Sequence, residues 1–222
     1  SAIKNKIKKL VFISTCSNYG VVKKNKIANE NTKLNPKSIY SKNKVEIEKY
    51  LKKFKANKFT EITILRFATA FGLSTRMRFD LTLNEFVRSA YIDKKLEIYD
   101  YDTWRPYCHV LDFAKIIHLV LFKKIKRANF EIFNAGNSKN NFTKIMIAKL
   151  IKKYVKNVEL ILQGASKDPR DYIVSFDKLK KVYNYAPKFT LQYGIKEILN
   201  QLEKSNFINK NLYKDNLGNY KI

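Results

Sequence analysis

Tyr40 and Lys44 stand four residues apart in the run YSKNK, and Thr15 closes the apolar run LVFIST 25 residues before Tyr40. Positions i and i+4 of a helix share one face, so a phenol and an ammonium at this spacing project together. A free phenol has a pKa of about 10 and keeps its proton at neutral pH; bringing it to about 7 takes roughly 4 kcal/mol. A fixed cation near the oxygen, aided by hydrogen bonds, is the physical means of supplying that. The chemistry this offers is proton transfer to or from a hydroxyl. By spacing alone the pair describes an exposed helix face equally well, because Tyr and Lys are abundant here. Thr15 alone reads as a strand-end hydroxyl bonded to backbone.

Such side chains act only where the surrounding elements aim them. Residues 10–15 form a continuous apolar run, as expected of a parallel strand buried on both faces. A helix is expected to start at Asn35-Pro36 and to run through IYSKNKVEIEKYLKKF. EITILRFATAFG then reads as one buried β run closed by Gly72. A helix over 79–92, a strand LEIY and a strand PYCHV follow. DFAKIIHLVLFKKI reads as an amphipathic helix with Asp112 as N-cap. NFEIFNAG reads as a strand, NFTKIMIAKLIKKYV as a helix, VELIL and YIVSF as short strands, and FDKLKKVYNY and YGIKEILNQLEK as closing helices. Alternating strand and helix predicts an α/β fold with a parallel sheet. Thr15 and Tyr40 would then meet at the carboxyl edge of the sheet, where ligands of open α/β sheets bind.

Composition narrows the classes. The 222 residues are 45% hydrophobic and 14% aromatic, enough for one or two domains with a sizeable core. No apolar run approaches ~18 residues, so no membrane partner is expected, and the opening residues lack the apolar core of a secretory signal. Cys16 and Cys108 lie far apart, which argues against a disulfide framework or zinc and for a cytoplasmic protein. With His109 and His118 the only histidines, no metal site is expected. The formal net charge of +26 invites a nucleic-acid reading. That reading is disfavoured: only seven of the 45 basic residues are Arg, the type suited to bidentate phosphate and base recognition. Excess positive charge would equally steer a small anionic substrate. The six glycines, at 20, 72, 136, 164, 194 and 218, leave no pair close enough for a glycine-rich phosphate loop.

Six segments, in order, carry a resemblance to the extended short-chain dehydrogenase/reductase superfamily, in its NAD-dependent epimerase/dehydratase branch. STCSNYG resembles that family's "SS-x-x-x-YG" segment, NPKSIYSKNKVEIE its YxxxK helix, and ILRFATAFG its "LR-x-x-x-x-YG" strand. WRPYCHVLDFAKII resembles "RDY-x-HV-x-D-x-A", IFNAGN resembles "YN-x-G", and DPRDYIVSFDKLKKVYNYAP resembles the terminal "R-x-D … D-x-x-K … LG-x-x-P" block. The resemblance spans roughly residues 10–200. It implies the C-terminal portion of a Rossmann-like doubly wound parallel sheet plus a small mixed α/β substrate-binding subdomain. Residues 1–78 would belong to the former and 79–222 mainly to the latter, with about 106–137 returning to the Rossmann sheet.

The resemblance also implies roles. Tyr40 would be the catalytic acid/base while hydride passes to or from a nicotinamide, NAD in preference to NADP. Lys44 would lower the phenol pKa and hydrogen-bond the nicotinamide ribose, and Thr15 would hold the reacting oxygen. Phe67, Ala68 and Thr69 would line the nicotinamide side, with core packing as the alternative. Arg105 and Arg170 would take the diphosphate of a nucleotide-diphosphate sugar, since a guanidinium fork suits two phosphate oxygens, with a surface salt bridge as the alternative. Asp80 falls where the family often has a substrate-binding Asn, and Tyr99 would lie against the nucleobase or in the core. His109 and Asp112 read as structural, one packed under the sheet and the other capping a helix, and His118 reads as core.

Family members that dehydrate sugars carry an acidic pair just after the catalytic Thr, where this chain has Cys16 and Ser17. An epimerase that transiently oxidises a sugar hydroxyl is therefore preferred. A reductase of nucleotide-linked keto-sugars and a catalytically silent descendant that binds a sugar nucleotide or a protein are the alternatives. The family's glycine-rich loop precedes the part matched here, so the chain is expected to be an N-terminally incomplete piece that binds NAD poorly by itself. Full-length members commonly form homodimers through the Tyr/Lys helix.

Overall fold

The computed structural model describes residues 2–23, 25–124, 128–164 and 168–204. Three parallel strands form the first sheet: β1 (Lys9–Thr15), β3 (Glu61–Phe67) and β7 (Phe130–Ala135), in the order β1-β3-β7. Their side chains alternate between faces, as the pleat requires. Ile62 and Ile64 point to a small core with Leu51 of helix α1 (Ile39–Lys52), whereas Leu65, Phe67, Phe133 and Ala135 point to the other face. There they pack on Ile116 and Val120 of α3 (Val110–Phe122) and on Leu179 and Tyr183 of α5 (Asp177–Tyr183). Helices on both faces of a parallel sheet give the expected α/β architecture. β1 differs from expectation. It is half-exposed along most of its length, because among the described residues only β3 pairs with it.

The run 61–72 is not one strand. It breaks at Ala68, whose amide still donates to the Ala135 carbonyl at 3.0 Å. The chain then leaves the first sheet as β4 (Thr69–Phe71) and pairs in parallel with β6 (Trp104–His109). β8 (Asn141–Thr143) joins β6 antiparallel, so the start of NFTKIMIAKLIKKYV is strand and its helix α4 is Lys144–Ile151. A second core lies between α2 (Thr82–Ile92), α4 and α6 (Leu191–Lys204), with β5 (Lys95–Ile98) paired to β9 (Glu159–Leu162). A two-residue pair, β2 (Ile27–Ala28) with β10 (Ile173–Val174), ties the segment after β1 to the C-terminal third.

Three local expectations change. Helix α1 starts at Ser38 rather than at Asn35-Pro36, because Ser38 and Ser41 form a reciprocal capping box. Asp112 does not cap α3; His109 does, its Nδ1 accepting the Leu111 amide at 3.2 Å. That leaves the buried Asp112 carboxylate to receive the Tyr185 hydroxyl and the Lys188 and Phe189 amides. His118 is exposed and lies against Phe122, because the buried stripe of α3 runs through Ile116 and Val120. Ile125, at the end of the expected third helix, and residues 205–222 lie outside the described residues.

Candidate active site

At the carboxyl end of β1, Thr15 has extended backbone and caps a short 3-10 turn, Cys16–Tyr19, by accepting the Ser17 amide at 3.1 Å. Gly20 closes this turn with φ +65°, and a Cβ there would lie 1.8 Å from the Asn35 carbonyl oxygen. The missing side chain lets the segment before α1 press on the turn, where the Asn35 amide donates to the Asn18 carbonyl at 2.9 Å. That close approach brings the first turn of α1 to the end of β1.

The Thr15 hydroxyl stands beside the Tyr40 phenol, where it favours the ionised form. Tyr40 is 56% exposed, so the pair faces open space at the sheet edge. Lys44 is on the same helix face, its ammonium 5.6 Å from the Tyr40 ring centroid and 4.9 Å from that of Phe12. The ammonium donates to the Ile13 carbonyl at 2.7 Å. The three residues thus stand together at the sheet edge, but the expected effect of Lys44 is not among the influences on the phenol. The Tyr40 phenol is raised above its ordinary pKa, chiefly by burial, and the groups pulling it back are the Thr15 hydroxyl and the Arg78 charge. Lys44 lies over the ring, committed to a backbone carbonyl, and burial lowers its own pKa.

Arg78 also explains the acid at position 80. Its Nε donates to Asp80 Oδ1 at 2.8 Å, so Asp80 sits in an ion pair with its side chain only 8% exposed. Phe67 and Ala68 are buried, and Phe67 stacks on Phe113 with centroids 3.8 Å apart. Core packing thus describes the side chains of both, whereas Thr69 is half-buried. Tyr99 is exposed, which rules out the core alternative, and its carbonyl accepts the Lys144 ammonium at 2.7 Å.

Arg105 and Arg170, 65 residues apart in sequence, converge on one carboxylate. Arg170 is bidentate to Asp168, with Nε–Oδ1 and Nη2–Oδ2 both 2.7 Å, and Arg105 Nη2 reaches Oδ2 at 3.3 Å. The Arg105 guanidinium also lies 5.2 Å from the Tyr172 ring centroid. Partial burial opposes ionisation of Asp168, but the Arg170 hydrogen bonds and charge, with Arg105, outweigh it and hold the carboxyl well below the usual range. Arg170 Nη1 donates to the Ser17 hydroxyl at 3.0 Å, and Ser17 also meets the Tyr172 hydroxyl at 3.3 Å. The Asp171 amide donates to the Gly20 carbonyl and the Val22 amide to the Asp171 carbonyl, both at 2.9 Å, which seats this segment beside the turn. A polar path thus runs from the arginine pair through Ser17 to Thr15, with Tyr40 beside it. Sequence reasoning missed Ser17, Asp168 and Tyr172 as members; only the D-x-R spacing at 168–170 hinted at one of them. Cys16, beside Ser17, turns inward: its thiol donates to the Arg66 carbonyl at 3.1 Å, and burial pushes its pKa up.

Residues 1–136, more than half of the chain, match the NAD dependent epimerase/dehydratase family. The chain belongs to this family. Among its relatives, an uncharacterized UDP-glucose epimerase of Bacillus subtilis is 29% identical over 193 residues, which cover 85% of this chain and 58% of that protein. An uncharacterized protein of Methanocaldococcus jannaschii is 28% identical over 198 residues, covering 87% of this chain and 59% of the other. This epimerase/dehydratase chain therefore spans under two thirds of the length of these relatives. The crystal structure of dTDP-glucose 4,6-dehydratase from Bacillus anthracis in complex with NAD has TM-score 0.78 and 26% identity, over 92% of this chain and 64% of that one. UDP-glucose 4-epimerase of Thermotoga maritima with UDP-glucose also has TM-score 0.78 and 26% identity, over 91% and 66% of the two chains. The parallel sheet and its flanking helices are thus the Rossmann-like framework of the family.

Proposed function

We propose that this chain supplies the catalytic and substrate-binding part of a nucleotide-diphosphate-sugar epimerase that transiently oxidises a sugar hydroxyl with NAD. The observation that carries the reading is the meeting of Thr15 and Tyr40 at the carboxyl sheet edge, with Lys44 on the same helix face and Arg170 joined to the Thr15 turn through Ser17. The two relatives named with UDP-glucose support the substrate class. The division of labour proposed is a Rossmann-like part over 1–78, with 106–137 returning to it, and a substrate-binding part over most of 79–222.

The residues present fit the nicotinamide end of NAD. Two hydroxyls and an ammonium stand at the sheet edge where a ribose and a reacting carbon would lie, with Thr69 and the backbone of Phe67 and Ala68 beside them. The glycines of this chain are too far apart to cradle the pyrophosphate. NAD, when bound, supplies the hydride acceptor and donor. Tyr40 Oη exchanges a proton with the sugar hydroxyl, the Thr15 hydroxyl and the Arg78 charge favouring the phenolate against the burial that keeps it protonated, while Thr15 Oγ1 holds the reacting oxygen in line. Lys44 orients the ribose. Arg105 and Arg170 receive the diphosphate, and Asp168 bridges the two guanidiniums while leaving a net positive charge. Tyr99, exposed near this end, is the candidate contact for the base. Neither Cys16, buried and turned inward, nor Ser17 supplies the acid and base that eliminating water needs, so epimerisation is favoured over dehydration. Ile39, Ile47 and Tyr50 leave α1 with an exposed apolar face, which suits a homodimer built on that helix.

The test is to express the protein from its complete reading frame and incubate it with NAD and a panel of UDP-, dTDP-, GDP- and CDP-sugars, following the sugar ring by NMR. Interconversion of two epimers without net NAD consumption, abolished by Tyr40→Phe, is expected. Stoichiometric use of NADH would make the enzyme a reductase instead, and turnover unaffected by Tyr40→Phe would overturn the site.

A further inference from the structure

We infer that the amino-terminal end of the parallel sheet is a docking surface for anionic lipid headgroups. Residues 2–9 and 51–60 together contain eight lysines and no carboxylate. The two segments meet in space: the Glu61 amide donates to the Lys8 carbonyl at 2.9 Å, and the Lys6 ammonium lies 5.1 Å from the Phe59 ring centroid. Ile3, Leu51 and Phe54 share the small core beneath them, so both segments are seated on the sheet. On the first, Lys4, Lys6 and Lys8 are exposed; on the second, Lys52, Lys53, Lys55 and Lys58 are. The nearest acid along the chain, Glu61, is 4.0 Å from Lys9. Among these lysines stand two large apolar side chains in solvent, Ile7 at 47% and Phe59 at 64% exposure.

The chemistry of the surface selects its partner. A lysine cluster attracts an anionic leaflet additively, and exposed apolar side chains beside it enter the boundary between headgroups and acyl chains. Nucleic acid fits less well, because neither segment contains an Arg, and an aliphatic Ile7 offers a base nothing to stack on. The surface also lies clear of the candidate active site. Lys9 and Thr15 are the two ends of β1, about 20 Å apart at the rise of a parallel strand. Docking at the lysine end would leave the carboxyl edge open to substrate. No helix among the described residues is long and apolar enough to cross a membrane, so the contact is peripheral and reversible.

The experiment is co-sedimentation of the whole chain with vesicles of phosphatidylcholine alone, or of phosphatidylcholine and phosphatidylglycerol in equal parts. Binding to the anionic vesicles only is expected. Reversing the patch with Lys52→Glu, Lys53→Glu and Lys55→Glu, or in a second variant with Lys4→Glu, Lys6→Glu and Lys8→Glu, should weaken it at least about tenfold. The control is Lys152→Glu, Lys153→Glu and Lys156→Glu, an equal change of charge at exposed positions after α4, which should leave most of the binding. Phe59→Ser should remove the part that survives high salt. Equal losses in patch and control variants would reduce the effect to net charge and overturn the proposal. So would binding to neutral vesicles, or RNA outcompeting the anionic vesicles.

Discussion

Arg66 and Glu48 meet at 2.6 Å with both side chains only 4% exposed. Glu48 lies one helical turn beyond Lys44 and two beyond Tyr40, on the same line of α1. It also receives Ser14 Oγ at 2.5 Å and Asn18 Nδ2 at 2.9 Å, and Arg66 Nη1 donates to Tyr19 Oη at 3.1 Å. Ser14 and Asn18 flank Thr15 on either side. One buried carboxylate thus fastens helix α1 to the end of β1, the turn after it and the end of β3.

Glu48→Ala is expected to destabilise the fold by about 3–5 kcal/mol, the usual loss when one partner of a buried ion pair is left without the other. Urea denaturation followed by circular dichroism measures it. A loss under about 1 kcal/mol, the size of a surface pair, would show that the network is not holding α1.

Tyr40→Phe should lower kcat by about 10²–10⁴-fold with little change in sugar-nucleotide affinity, the signature of a lost acid/base. Rapid-quench assays and titration calorimetry read the two quantities separately.

The phenol itself can be titrated. NMR of ring-labelled tyrosine, assigned with Tyr40→Phe, should show Tyr40 titrating above the ordinary value near ~10. Thr15→Val and Arg78→Ala should each raise it further, because the Thr15 hydroxyl and the Arg78 charge both favour the phenolate. A fall in either variant would contradict the geometry.

Asp168→Asn should flatten the acid limb of the stability curve. The folded carboxyl is held below its unfolded value near ~3.9, so its contribution is complete above about pH 4 and is lost as the pH falls toward the folded value. Melting temperatures of wild type and variant between about pH 5 and pH 2 should therefore converge on acidification; parallel curves would mean that the arginines hold Asp168 only weakly. The same variant should raise KM for the nucleotide sugar by freeing both guanidiniums from their alignment.

Gly20→Ala should cost at least about 2 kcal/mol, because the residue has φ +65° and the new methyl would meet a backbone oxygen. Since the Gly20 contact seats α1 against the Thr15 turn, activity should fall further than the lost stability explains, as assays well below the melting temperature would show.

Local periodicity made much of this legible in advance. Tyr40 and Lys44 share a face because 3.6 residues per turn leave no other arrangement at i and i+4, and LVFIST and NFEIFNA are strands because their apolar runs are too short and too flanked by polar residues for helices. The break at Ala68 was not legible, since EITILRFATAF has the same β character throughout and only the different partners on either side of Ala68 divide it. Nor was the cap of α3. His109 and Asp112 both suit a helix start, and the demand of the 185–189 segment for the Asp112 carboxylate leaves the capping to His109.

The α/β alternation, the helix face that carries Tyr40, Lys44 and Glu48, and the arrival of Thr15 at a strand end can be read from residue order alone. These follow from backbone geometry acting over a few residues. That Arg170 reaches Ser17 across 153 positions, that Arg105 and Arg170 share Asp168, and that the lysines of 4–8 and 52–58 form one surface emerge once the chain is folded. Those pairings depend on which strands lie side by side and on which donors each buried carboxylate can reach, and no spacing along the chain encodes either.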